Sequence, residues 1–237
     1  MIIAVSAPSF VPTLLFVLSL GCGSTPSKET APVAPVAPVA PVAEAKSAAP
    51  PITDTRPVIA TFGDSLSAGY GLDPGDSYPS NLQRLLDGAG YQYHVVNMGV
   101  SGDTTTDGVS RLPDVIALHP ELVILEFGGN DGLRGQPATS TRDNLVIMIE
   151  GLQKAGAKVV LAGMTLPRNY GPDYIHQFDA VYPALAAKYK LARIPFLLEG
   201  VGGDPKLTQP DGLHPTAEGC AIVARTVLKY EEPLLKK

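Results

Sequence analysis

Four short stretches of this chain carry residue types that can do chemistry. The first is Gly63-Asp64-Ser65-Leu66. A serine hydroxyl attacks a carbonyl only when a neighbouring base takes its proton, and a helix N-terminus beside it favours developing negative charge. Taken alone, Ser65 reads first as a helix N-cap, a role serine fills very commonly. The second stretch is Ser101-Gly102-Asp103-Thr104, a loop entering a helix. Its backbone N–H groups can hold an oxyanion or be capped by Asp103. The third, Gly128-Gly129-Asn130-Asp131-Gly132, pairs close backbone approach with a side-chain amide donor, although Asn-Asp-Gly is also common turn chemistry. The fourth is Asp211-Gly212-Leu213-His214. An acid three residues before a histidine on a tight turn can bond the ring Nδ1–H, leaving Nε2 free to take a proton from a serine. It is otherwise a surface turn capped by Asp211. The remaining histidines have weaker settings: His94 in a strand pattern, His119 before a proline, and His176 in a helix without an acid at useful spacing.

These residues need a scaffold that gathers them. Strand patterns occur at Pro57–Phe62, Tyr93–Asn97, Leu122–Phe127, Lys158–Ala162 and Ile194–Leu198. Helical patterns lie between and after them, at Ser77–Asp87, Thr104–Leu118, Ser140–Ala155, Asp173–Tyr189 and Thr216–Tyr230. Alternation of this kind predicts an α/β fold: a parallel sheet of about five strands covered on both faces, a three-layer α/β/α sandwich. The flavodoxin-like order 2-1-3-4-5 is the expected one, with the site beyond the strand carboxyl ends where the order reverses. The first three stretches directly follow strands 1, 2 and 3. The fourth must cross about three strand spacings, roughly 14 Å, and residues 199–214 can span up to about 50 Å when extended.

Composition narrows the classes. Of 237 residues, 45% are hydrophobic and the formal net charge is −5, with no Lys/Arg stripe, so a nucleic-acid partner is not expected. The two cysteines, Cys22 and Cys220, stand in no Cys-x-x-Cys or Cys/His cluster, and no metal or cofactor is implied. Residues 1–22 read as an export signal: the apolar run from Val11 to Leu20 is shorter than the roughly 20 residues a membrane span needs. Leu18-Ser-Leu-Gly-Cys22 resembles a bacterial lipobox, which makes Cys22 a lipidation candidate and a periplasmic membrane face the expected location; a soluble periplasmic or secreted protein is the alternative. The leader departs from the usual pattern in lacking Lys or Arg before the apolar run and in placing Leu20 where a small residue is usual. Residues 23–55 repeat Pro-Val-Ala triplets and read as an extended tether. Residues 56–237 form the remaining domain.

Together the four stretches resemble the SGNH/GDSL hydrolase family, through Gly63-Asp64-Ser65-Leu66, Gly102, Gly129-Asn130-Asp131 and Asp211-Gly212-Leu213-His214. Longer runs, Ser65-Leu-Ser-Ala-Gly-Tyr70, Gly128-Gly-Asn-Asp-Gly-Leu-Arg-Gly135 and Leu166-Pro-Arg-Asn-Tyr-Gly171, are similar to its bacterial periplasmic thioesterase I, lysophospholipase and arylesterase branch. The resemblance implies hydrolysis of small acyl esters or thioesters. It implies Ser65 as nucleophile, His214 as base, Asp211 as its orienter, and Ser65, Gly102 and Asn130 as oxyanion donors. It also implies an acyl groove, for which Leu133, Leu166 and Tyr170 are the candidates. The lipobox and tether depart from that branch. Alternatives are a carbohydrate-ester deacetylase on the same fold, made less apt by the absence of tryptophan, and a non-catalytic surface-binding module, which would need a missing triad member. A phosphate binder would need no Asp–His pair, and no phosphate-binding Gly-x-x-x-x-Gly-Lys loop is present. No Gly-x-Ser-x-Gly elbow surrounds Ser65, as the α/β-hydrolase fold would require.

Overall fold

The computed structural model describes residues 54–237, so the expected leader, Cys22 and nearly all of the tether lie outside the described residues. Five parallel strands, β1 (Val58–Gly63), β2 (His94–Gly99), β3 (Leu122–Glu126), β4 (Lys158–Ala162) and β5 (Ala192–Ile194), form one sheet in the order 2-1-3-4-5. Every residue of β1 and β3 is buried, as expected of central strands covered on both faces. The edge strand β2 is half-exposed.

Handedness then places the helices. A right-handed crossover from β1 out to β2 puts its helix on one face, and the crossovers running back through β3, β4 and β5 put theirs on the other. Accordingly α2 (Tyr78–Gly88) packs with α8 (Ala217–Glu231) on one side. On the opposite side α3 (Thr105–Ile116) packs with α5 (Ala138–Lys154), and α5 with α7 (Val181–Tyr189). Caps set several starts. Ser77 Oγ accepts from the Ser80 N–H and Thr216 Oγ1 from the Gly219 N–H. Thr104 and Asp107 close a reciprocal capping box on α3.

Two expected elements differ. The helix expected over Asp173–Tyr189 divides into α6 (Pro172–Asp179) and α7, because Pro183 has no N–H to donate and its ring crowds the preceding turn. The last strand is Ala192–Ile194 rather than Ile194–Leu198. Pro195 stops the ladder, and the Leu197 N–H bends back to the Gly163 carbonyl (2.9 Å). Two short helices, α1 (Ser65–Ala68) and α4 (Gly129–Leu133), lie below the length at which apolar periodicity is readable. Both start at the carboxyl end of a central strand.

Candidate functional site

The serine turn is built from the sheet outward. β1 ends at Gly63, where a side chain would collide with the Glu126 carboxyl and backbone. Asp64 caps α1, its Oδ1 accepting from the Leu66 N–H (3.0 Å), so Ser65 is the first helical residue rather than the cap. Its N–H donates to no protein acceptor among the described residues, as the first turn of a helix leaves it. Glu126, at the end of β3, holds this turn from below: Oε2 accepts from the Asp64 N–H (3.1 Å) and the Ser67 hydroxyl (2.9 Å). Burial pushes the Glu126 carboxyl well above the usual range, with the nearby Asp64 charge adding to it, and burial lifts Asp64 to about 6.

The Gly102 loop is fastened on both sides. Gly102 has φ +89°, a conformation glycine adopts without strain, and its N–H also donates to no protein acceptor among the described residues. The Arg134 guanidinium donates to the Gly102 carbonyl (2.9 Å). Arg111 does more: Nε donates to Asp103 Oδ2 (2.6 Å), Nη1 to the Met98 carbonyl (2.9 Å) and Nη2 to the Gly63 carbonyl (3.1 Å). One guanidinium thus ties the ends of β1 and β2 to the loop, while its face lies over the rings of Phe62 and Phe127.

Asn130 stands at the start of α4, behind Gly128 at φ +114°. Its Nδ2 donates to the Asp103 carbonyl (2.9 Å) and, at a longer 3.2 Å, to Asp64 Oδ2. The shorter bond fixes the amide. The longer one is the N–H that an incoming oxyanion can draw away.

The fourth stretch folds over this edge from residues 203–216. Asp211 Oδ1 accepts from the N–H groups of Leu213 (2.9 Å) and His214 (3.0 Å), while Oδ2 lies 2.6 Å from His214 Nδ1. Burial opposes the Asp211 charge, but the ring and backbone donors outweigh it and bring the carboxyl down to about 2. An ionised Asp211 keeps the proton on Nδ1, which leaves Nε2 as an acceptor 2.8 Å from Ser65 Oγ. Gln209 joins this loop to the serine turn, its Nε2 donating to the carbonyls of Tyr70 (2.8 Å) and Pro215 (2.9 Å).

Ser65, Asn130 and His214 open onto a cavity of about 440 Å³ whose walls are Leu133, Met164, Leu166, Phe196, Leu198 and Leu213. Two of the three expected groove residues, Leu133 and Leu166, are among them. Tyr170 is not: its hydroxyl donates to the Leu133 carbonyl (2.9 Å), so it buttresses the wall from behind. A tyrosine's polar tip seeks an acceptor, and here that acceptor is the Leu133 backbone. Met164, Phe196 and Leu198 escaped sequence reading. Met164 follows the carboxyl end of β4, the position rule that picked out the other stretches; Phe196 and Leu198 were absorbed into a strand that Pro195 ends. Chemically, the site can activate a hydroxyl beside an imidazole, offer N–H donors to a developing oxyanion and shelter an apolar chain.

Comparison with known proteins agrees with this geometry. The GDSL-like Lipase/Acylhydrolase family model matches residues 61–222. The chain is 46% identical over 178 residues to Esterase TesA of Pseudomonas aeruginosa, spanning 75% of this chain and 89% of the relative. It is 37% identical over 178 residues to Thioesterase 1/protease 1/lysophospholipase L1 of Escherichia coli K12, spanning 75% and 84%. A crystal structure of AlinE4, an SGNH-hydrolase family esterase, superposes with a TM-score of 0.64 at 43% identity, covering 77% of this chain and 98% of that one. On the match across its catalytic edge and most of its folded length, the chain belongs to the GDSL/SGNH hydrolase family.

Proposed function

We propose that this protein is a serine esterase that hydrolyses acyl esters and thioesters through an acyl-enzyme at Ser65. The observation that carries the reading is the continuous relay from Asp211 to His214 (2.6 Å) to Ser65 (2.8 Å), opening on an apolar cavity. Ser65 Oγ attacks the carbonyl carbon as its proton passes to His214 Nε2. The carbonyl oxygen becomes an oxyanion facing the N–H groups of Ser65 and Gly102 and the Asn130 amide. The C–O or C–S bond then breaks, and His214 returns the proton to the departing oxygen or sulfur. Water, deprotonated by the same imidazole, releases the acid and restores Ser65. Asp211 stays ionised throughout, holding the tautomer and offsetting the imidazolium charge. The apolar wall supports an unbranched acyl chain as the group retained on the enzyme. The named activities of the relatives, an esterase and a thioesterase/lysophospholipase, support the same bond classes.

An acyl-length series of p-nitrophenyl esters and acyl-CoAs, run beside Ser65→Ala, tests this. Activity should disappear in the variant on both substrate classes by a factor of about 10³ or more. Unchanged hydrolysis would overturn the assignment.

The leader and tether support a second statement, that the mature chain is exported and anchored through lipid on Cys22. A shift in electrophoretic mobility on globomycin treatment, absent in Cys22→Ala, is the expected result; no shift argues for a soluble exported form.

A further inference from the structure

The edge that carries Ser65 holds an acid for which the reaction above has no use. Asp103 directly follows Gly102, and its carbonyl fixes the Asn130 amide (2.9 Å). A carboxylate placed there opposes an oxyanion in two ways. It accepts readily from free N–H groups beside a helix start, and α3 begins two residues further on at Thr105. It also repels negative charge developing on the same donors. The sequence leaves open whether Asp103 caps the loop. In the structure it does not: its carboxylate accepts from no backbone N–H among the described residues, and the N–H groups of Ser65 and Gly102 are left without a protein acceptor.

The carboxylate is held instead by Arg111, a residue of α3 outside all four reactive stretches. Its Nε donates to Asp103 Oδ2 (2.6 Å), and the two side chains are only 21% and 14% exposed, so water and salt screen the pair poorly. The guanidinium is not free to follow a swinging carboxylate. Its other donors are committed to the carbonyls of Met98 (2.9 Å) and Gly63 (3.1 Å), and its face lies over the rings of Phe62 and Phe127. The Gly63 carbonyl also accepts from the Val100 N–H (3.1 Å), and the Val100 carbonyl accepts from the Asp103 N–H (3.2 Å). One cation therefore anchors both ends of the Val100–Asp103 turn and neutralises the charge at its end. Arg111 lines no part of the cavity, so it reaches the chemistry only through these partners.

We propose that Arg111 is a positioning residue for the oxyanion site, which neutralises Asp103 and keeps its carboxylate off the donors at Ser65, Gly102 and Asn130. This rests on those three groups acting as described above. The side chains that wall the acyl cavity are separate from this network. The effect therefore falls on the transition state and is read in kcat, with KM little changed.

The test compares Arg111→Met, Arg111→Lys and the double variant Arg111→Met/Asp103→Ala by steady-state kinetics on p-nitrophenyl butyrate. Arg111→Met keeps an apolar stem against Phe62 and Phe127 but frees the carboxylate; kcat should fall about 10²-fold with KM within about twofold. Arg111→Lys keeps a cation beside Asp103 and should restore about tenfold of that loss. Removing the freed carboxylate, in the double variant, should restore a similar about tenfold. A purely structural Arg111 gives the opposite result, since a second truncation in a loosened loop lowers activity further. A double variant no better than Arg111→Met overturns the proposal, as does Arg111→Lys no better than Arg111→Met, or a loss expressed in KM. Thermal melts report whether each variant folds; if Arg111→Met does not, Arg111→Gln, which also lacks the charge, takes its place in the same comparison. Activity surviving in Ser65→Ala would instead strike the underlying hydrolase reading.

Discussion

The serine turn and the histidine loop meet at the His214–Ser65 hydrogen bond and at Gln209, yet are built in opposite ways. The turn carrying Ser65 is an outgrowth of the central strands. Its backbone is held by the buried Glu126 carboxyl, by Arg111 and by the Asp64 cap, with partners up to 62 residues away. The loop carrying His214 is half-exposed and largely holds itself. Asp211 bonds residues two and three positions on, Gln209 N–H donates to the His214 carbonyl (2.7 Å), and Thr208 bridges Pro215. The difference fits the role proposed for each. For the donors proposed to hold the oxyanion, a rigid, partly buried frame limits reorganisation as charge develops. The base proposed at His214 would gain and lose a proton in both acylation and deacylation, which a site near water tolerates better than a buried one.

The contrast can be broken most severely at Asp211. Its Oδ1 is pinned by two backbone N–H donors, so in Asp211→Asn the amide oxygen must take that place and the NH₂ must face His214 Nδ1. A donor facing Nδ1 moves the ring proton to Nε2 and removes the base. Steady-state kinetics should show kcat reduced about 10³–10⁴-fold, and Asp211→Ala, which admits water as an acceptor, should be less impaired. The reverse order would mean that the local pinning does not survive in solution.

On the rigid side, Asn130→Ala should lower kcat by about 10²–10³ with little change in KM, the signature of a contact made only in the transition state. A selective rise in KM would move Asn130 from oxyanion stabilisation to substrate binding.

Gln209 is the side chain that joins the two regions. Gln209→Ala removes its bonds to the Tyr70 and Pro215 carbonyls, and roughly a tenfold loss of kcat is expected from a slightly displaced base. The melting temperature should hardly move; a large drop would show that the loop is a stability element.

Glu231 supplies the contrast farthest from the chemistry. It is buried on α8, neither carboxyl oxygen finds a partner among the described residues, and burial lifts its pKa from 4.5 to about 8. Below 4.5 folded and unfolded chains are both protonated and nothing is lost. Between 4.5 and 8 the unfolded chain releases the proton that the folded chain retains, so stability falls as pH rises. Glu231→Gln should flatten that slope, melting on the order of 5 °C higher than the parent at pH 8 but near it at pH 4.5, with kcat unchanged. Parallel melting curves across pH would refute the buried-charge account.

Much of this was legible in the chain itself. Alternating strand and helix patterns are local, and with right-handed crossovers they leave few sheet orders, of which the usual one for a five-stranded flavodoxin-like sheet, 2-1-3-4-5, is the one observed. Three of the reactive stretches were legible because each directly follows a strand, and parallel strands deliver their carboxyl ends to one edge; the fourth was legible from its Asp–His spacing. The misread parts have local causes of another kind. Pro195 ended a strand whose apolar run continued, and Pro183 divided a helix whose periodicity did not.

The sequence by itself determined which residue types stand at that edge: a serine, a glycine loop, an asparagine amide and an Asp–His turn. Tertiary structure decided what surrounds them. It made Asp64 rather than Ser65 the helix cap, set the Glu126 carboxyl beneath the serine turn, tied the Tyr170 hydroxyl to the Leu133 carbonyl, laid Tyr70 against the imidazole, and drew Met164, Phe196 and Leu198 around one space. Periodicity reports the face on which a side chain lies. Burial, charge state and contact across 149 residues, as between His214 and Ser65, depend on packing that no local pattern encodes.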